Sequence, residues 1–332
     1  MATGIRRTTA FLHGLCPNLH DLRMASGGLR HHAYGLTIDS DIELWPDTAD
    51  DSPDGPLVRV RVRRAGARTS SGRRFEVAAK CSYLDWAGIG TLCVSRGELI
   101  ELWPEQGQGA HALALAVAGP GLAMLLQQRG HVVLHGSSVE REGDLVCLAG
   151  ASGAGKSTLA LALRSKGYLP WSDGMTAVYF DGPVLRAVPG PPTAKLLPDA
   201  ACALGFKLEA LREVSPNHVK VYAPVQRGRA EGSRPRLRRI FLVDSLTPPQ
   251  VSELGGAAQL VGVLKNFFLA DCVDSLSFDS IFEQCRRVVS SVPVSALFRG
   301  RTLEDLPRAV DALNDACGWT TAVDGALRDA GN

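Results

Sequence analysis

Residues 150–157 read Gly150, Ala151, Ser152, Gly153, Ala154, Gly155, Lys156 and Ser157, the pattern GxxxxGK[ST]. An apolar run at 145–149 precedes them, and a helix-forming stretch at 158–166 follows, stopped by Gly167. Strand, glycine-rich turn and helix in that order are the context such a loop requires. The glycines let successive backbone amides turn inward around phosphate oxygens, and the helix N-terminus adds its positive end. Lys156 is placed to reach the β- and γ-phosphates and Ser157 to ligate Mg2+, with Thr158 in the same nucleotide-binding set. A chance match in a chain with 35 glycines is the competing explanation, and the flanking strand, helix and stop glycine weigh against it. The sequence carries neither the NKxD guanine-recognition pattern nor the LSGGQ signature, which disfavours a GTP switch and an ABC-type ATPase.

Composition narrows the class further. With 332 residues, 45% of them hydrophobic and 21% charged, the chain can bury one large core or two modest ones. The 36 basic and 34 acidic residues leave a net charge of +2, too balanced for nucleic acid or an anionic membrane as main partner. Only seven of the basic residues are lysines, so a lysine in a special place stands out. The eight cysteines (Cys16, Cys81, Cys93, Cys147, Cys202, Cys272, Cys285, Cys317) form no CxxC pair and read as buried free thiols of a cytoplasmic protein. Arg6 and Arg7 precede an apolar stretch that His13 and Pro17 interrupt, so no signal peptide is expected. The most hydrophobic segment, 112–126, is too short to span a bilayer and contains Gly119, Pro120 and Gly121; it predicts a buried helix with a break.

The pattern along the chain predicts a small α/β or β-rich N-terminal domain over 1–108 and a P-loop domain over 109–332, a mixed sheet with flanking helices. Residues 34–46 and 57–63 read as strands, the second with Val58, Val60 and Val62 alternating with Arg59, Arg61 and Arg63. The Asp- and Pro-rich stretch 46–56 is a loop, and 75–79 and 91–102 are further strand-like runs. A helix over 110–129 leads to two β-rich runs within 131–150 around a polar turn at 140–144. Paired as a hairpin, they put His135 opposite Ala149, beside the glycine that opens the phosphate loop, give or take a residue or two. Asp181-Gly182 marks a second hairpin, and 189–198 is a proline-rich loop. Beyond it come a strand near 239–244, helices near 256–269 and 278–290, a strand near 292–298 and a helix near 303–316.

Phosphoryl chemistry also needs an acid near the γ-phosphate, to hold Mg2+ or to accept a hydroxyl proton. Asp173, in the run YLPWSDG, is the candidate; the competing reading is an ordinary turn aspartate before a glycine. His135 alone reads as a packed strand histidine, and only its inferred place beside the loop raises it. The stretch 135–174 resembles the HPr kinase/phosphorylase family and its shorter relatives, in which a histidine-bearing strand, a P-loop and an acidic pair occur in this order. The likeness extends to YGLTIDSDIELW, LLQQRGHVVLHGSSV, VPGPPTAKLLPDA and PVSALFRGRTLEDLPRAVDAL, so it spans most of the chain. Some relatives act in lasso-peptide biosynthesis, phosphorylating a serine at the C-terminus of the precursor, and the small N-terminal domain favours that group.

The resemblance therefore implies an ATP- and Mg2+-dependent serine kinase with a peptide substrate, and an oligomer by analogy. In it Asp173 would be the general base and a metal ligand with Ser157, His135 would assist proton handling or orient phosphate, and Lys156 would hold ATP. The family's second acid falls on Gly174, so one carboxylate is missing here. A nucleotide-binding regulatory or scaffold protein, a kinase of an HPr-like protein, or a kinase of a small hydroxylated metabolite remain alternatives. For a peptide carboxylate the basic stretch 226–239, with Arg227, Arg229, Arg234, Arg236, Arg238 and Arg239 against Glu231, reads either as a receptor or as a solvated loop. Arg299 and Arg301 are second candidates.

Overall fold

The computed structural model describes residues 28–46, 54–63, 75–76, 80–216, 218–226, 234–270 and 275–318. Arg6, Arg7, His13, Cys16, Pro17, Arg227, Arg229, Glu231, Cys272 and most of the 46–56 loop lie outside the described residues, as do 77–79 of the strand-like run at 75–79.

The P-loop strand Asp144–Ala149 runs parallel to Arg236–Asp244, which is itself parallel to Val294–Phe298. These strands are apolar on both faces because both faces are covered. Leu145, Cys147, Ala149, Leu237 and Ile240 pack one way, against Val263 of the helix Gly256–Lys265 and Ile281, Cys285 and Val288 of the helix Ser275–Ser291. Val146, Leu148, Phe241 and Val243 pack the other way, against Leu159 and Leu163 beyond the phosphate loop and Leu306, Ala309, Val310 and Leu313 of the helix Leu306–Cys317. The result is a three-layer α/β arrangement whose sheet, nine-stranded among the described residues, mixes parallel and antiparallel pairs. A smaller sheet, among the described residues Thr193–Leu196, Arg212–Ser215 and His218–Pro224, packs its Ala194, Leu196, Val221 and Ala223 on Leu161.

The N-terminal part is β-rich, a sheet seven-stranded among the described residues, from Leu29–Ala33 to Leu99–Pro104. The alternation at 57–63 holds: Val58 and Val60 are buried, while Arg61 pairs with Asp39 and Arg63 with Glu101. Two expected strands each contain a turn instead. Residues 34–46 begin with a turn at Tyr34-Gly35, both at positive φ, between Leu29–Ala33 and Leu36–Ser40. Residues 91–102 fold back at 96–98, where Arg96 and Gly97 take positive φ.

The expected break in the helix after residue 110 is a change of pitch rather than an interruption. Ala110–Ala116 continues through a π-helical turn, Val117–Gly121, into Leu122–Gln128. Pro120 has no N–H to give to an α-type bond, and the wider turn absorbs that loss without ending the helix. Ala110–Gln128 is long and apolar enough by composition to cross a membrane, but Leu113, Ala116, Val117 and residues 122–126 are buried inside the protein. They share one core with Ile38, Val60, Leu92 and Ile100 of the first sheet and with Val133, Met175, Ala177 and Val188 of the second.

The hairpin before the phosphate loop is present with its register one residue from the expected one. Ala149 faces Gly136, and His135 sits just ahead of the strand Gly136–Arg141. Gly136 is fixed in that place by space, since a Cβ there would stand 2.7 Å from the Leu148 carbonyl oxygen. The Asp181-Gly182 hairpin forms as expected. The proline-rich 189–198 segment is not all loop, because it contains the strand Thr193–Leu196.

Candidate functional site

Between Ala149 and Lys156 the chain wraps back on itself with Gly150, Gly153 and Gly155 all at positive φ. A side chain at Gly150 would meet the Val243 carbonyl oxygen at 2.5 Å, and one at Gly155 would run into the Arg299 guanidinium. Arg299 Nε donates to the Ala154 carbonyl at 2.7 Å, so this arginine buttresses the loop from beneath. The ammonium of Lys156, a residue 6% exposed, donates to the carbonyls of Gly150 and Ala151, both at 2.8 Å. Burial lowers its pKa and the nearby Asp173 works against that.

Asp173 follows the edge strand Leu169–Ser172 and is held at both carboxylate oxygens. Ser137 Oγ donates to Oδ1 at 2.7 Å, and the Lys195 backbone N–H donates to Oδ2 at 2.9 Å. Beneath it Ser138, Ser172 and Thr176 hydrogen-bond to one another, and Thr176 donates to the Gly136 carbonyl. The carboxylate is therefore fixed in direction while each oxygen keeps a lone pair for a ligand. Gly174 sits at φ +75, a conformation that resists the side chain of a second acid.

A cavity of about 270 Å3 collects most of the residues expected from sequence: His135, Ser152, Gly153, Gly155, Lys156, Ser157, Thr158 and Asp173. Gly150, Ala151 and Ala154 of the loop contribute their carbonyls to the internal bonds above. Its other walls come from places the sequence did not point to. Tyr34, Leu44 and Trp45 of the N-terminal part, Leu115 and Gly119 of the long helix, and Phe268 form an apolar side. Lys195 and Lys220 add two further ammonium groups. The available signal was the scarcity of lysine: three of the chain's seven line this one cavity.

His135 donates its backbone N–H to the Asn266 carbonyl at 2.7 Å, and its ring lies edge-on to Phe268 at 5.8 Å. Burial, with the Lys156 charge adding to it and Asp173 opposing, pushes its imidazole from the ordinary 6.5 down to about 4. At neutral pH it is an uncharged hydrogen-bonding group. The unfolded chain then takes a proton on this residue from about pH 6.5 downward, whereas the folded one resists until about 4. Stability is therefore lost as pH falls through that window. His135→Gln is expected to flatten the fall in urea midpoint between pH 7 and pH 4, and an unchanged slope would assign the lability to other groups.

Among the described residues no three His, Cys, Asp or Glu side chains gather into a metal cluster. The Ser157 hydroxyl and one carboxylate, Asp173, line the cavity with the phosphate loop. That donor set fits Mg2+, which keeps waters and takes most other ligands from phosphate oxygens. Four arginines of the basic stretch, and Arg299, already have partners: Arg238, for one, lies 3.9 Å from Asp144. Arg234 donates to Tyr179, Arg236 pairs with Asp144 and Arg239 with Glu253, while Arg299 belongs to the loop; Arg301 is exposed.

No family model matches the chain, and no curated protein matches it. Among solved structures it is similar to the Hpr(Ser) kinase/phosphatase from Coxiella burnetii, at 12% identity over 60% of this chain and 99% of that one, with a TM-score of 0.28.

Proposed function

We propose that this chain is an ATP-dependent kinase that transfers the γ-phosphoryl group to a hydroxyl, a serine of a peptide. The observation that carries the reading is the meeting, in one cavity, of a phosphate loop with its Lys156 and a carboxylate, Asp173, fixed by Ser137 and Lys195. The glycine-rich loop offers amides to the phosphate chain, and Lys156 exchanges its bonds to the Gly150 and Ala151 carbonyls for phosphate oxygens. Asp173 accepts the proton of the attacking hydroxyl, the role such a positioned carboxylate plays in phosphoryl transfer. His135, uncharged, orients an oxygen by hydrogen bonding rather than by charge. Mg2+ would neutralise phosphate charge, held by Ser157 and Asp173. The apolar wall of Tyr34, Leu44 and Trp45 suits the side chains flanking a peptide hydroxyl, and the sequence resemblance favours the C-terminal serine of a lasso-peptide precursor.

A second reading has its own observation: with Gly174 in place of an acid, the site holds a single carboxylate, as a nucleotide-gated binding protein would tolerate. The test is to incubate the purified protein with Mg-ATP and serine-ended precursor peptides beside small alcohols, reading intact mass. The expected result is a peptide that gains one phosphate. ATP binding by thermal shift with no acceptor ever modified would sink the kinase reading and leave the regulatory one.

A further inference from the structure

Lys195 and Lys220 are unusual cations. Neither ammonium makes a hydrogen bond or ion pair with another described residue. Both are only partly exposed, and burial lowers the Lys195 pKa, with Asp173 opposing. A half-buried ammonium with no anion bonded to it is costly, and surface lysines normally escape that cost by extending into water. These two instead line the cavity that holds Lys156. They come from one sheet: Lys195 pairs with Tyr222, and Lys220 lies two residues before Tyr222 on the same strand, so all three share a face. Lys195 Nζ stands 3.9 Å from where Gly174 would carry a Cβ, next to the residue whose carboxylate its own backbone holds.

Charge shows what is wanted there. Three lysines against one aspartate, with His135 neutral, leave the cavity at +2. The loop amides account for the inner phosphates of a nucleotide, and Lys156 alone reaches across from the β- to the γ-phosphate. The other two ammoniums, on a separate sheet, remain for an oxyanion further out.

We propose that Lys195 and Lys220 form a second anion position that grips the terminal phosphoryl group of a nucleoside triphosphate, the group to be transferred. This rests on the nucleotide reading above. It gives the pair the task of a second divalent cation, for which the site has no second carboxylate.

The discriminating measurement is ATP and ADP affinity, by calorimetry without acceptor, for the full chain and for Lys195→Met, Lys220→Met and Lys195→Arg. Each Met variant is expected to weaken ATP about 10- to 100-fold, the loss of a charge-assisted contact, and to leave ADP unchanged. The Arg variant is expected to recover most of the loss. Unchanged ADP binding shows that a variant is folded, and Lys220→Met carries the test alone if Lys195→Met fails to fold. Equal weakening of ATP and ADP overturns the assignment to the terminal group. No change in either overturns it in favour of an anion carried by the acceptor. A wild-type chain that binds neither nucleotide overturns the nucleotide reading and this proposal together, whereas the first two failures leave that reading standing.

Discussion

Asp173→Asn is expected to lower single-turnover phosphoryl transfer by about 10²–10⁴-fold while ATP free of Mg2+ binds at least as tightly as to wild type. Asparagine has the same shape, and the local bonds accept it. Its oxygen can take the Lys195 N–H, and its NH2 can donate to Ser137, whose hydroxyl reverses from donor to acceptor. What disappears is the negative charge. An amide cannot take the proton of a hydroxyl, so the chemical step suffers. Removing the one carboxylate among three lysines makes the cavity more attractive to a polyanion, so binding does not. Rapid-quench kinetics beside calorimetry separates the two effects. A variant that turns over within a few-fold of wild type would return Asp173 to the status of an ordinary turn residue.

The second large effect is expected from the first glycine of the loop. Gly150→Ala drives a methyl to within 2.5 Å of a backbone oxygen on the neighbouring central strand, Val243, where no rotamer can yield. Overpacking against a fixed wall costs about 3 kcal/mol or more, and here it also pushes the loop away from its strand, so nucleotide binding is lost with the stability. Gly153→Ala is the control. It has nothing within 4 Å of the new methyl and only the strain of φ +83, about 1–2 kcal/mol. Urea denaturation and nucleotide titration of both variants check this. Equal stability of the two would mean that the strands part more easily than their packing indicates.

The features legible in the sequence are those whose cause is local. The phosphate loop, the Asp181-Gly182 turn, the parallel strand near 239–244 and the last three helices each announce themselves through glycines, periodicity or apolar runs within a dozen residues. The Tyr34 turn does not, because tyrosine at positive φ is held by tertiary contacts, its N–H on the Pro189 carbonyl at 2.6 Å and its ring buried. The strand Thr193–Leu196 hides among prolines and forms only because His218–Pro224 pairs with it. Asp173 and Lys156 could be nominated one at a time from pattern. Their meeting with Lys195 and Lys220 depends on where a separate sheet docks, and no short-range signal encodes that. Arg299 has the same history: its position after a strand is visible, its partner Ala154 is not.

The helix Ala110–Gln128 has a consequence for anyone who would divide this protein. Residues 122–126 are covered partly by the first sheet and partly by the second, so neither sheet keeps a finished interior without the helix, and the helix is left half bare by the loss of either. A fragment beginning at residue 109 would carry that bare stripe into water and lose Tyr34, Leu44 and Trp45 from the wall facing the phosphate loop. Nucleotide binding and solubility would fail in it together, and its silence in an assay would say nothing about the intact protein.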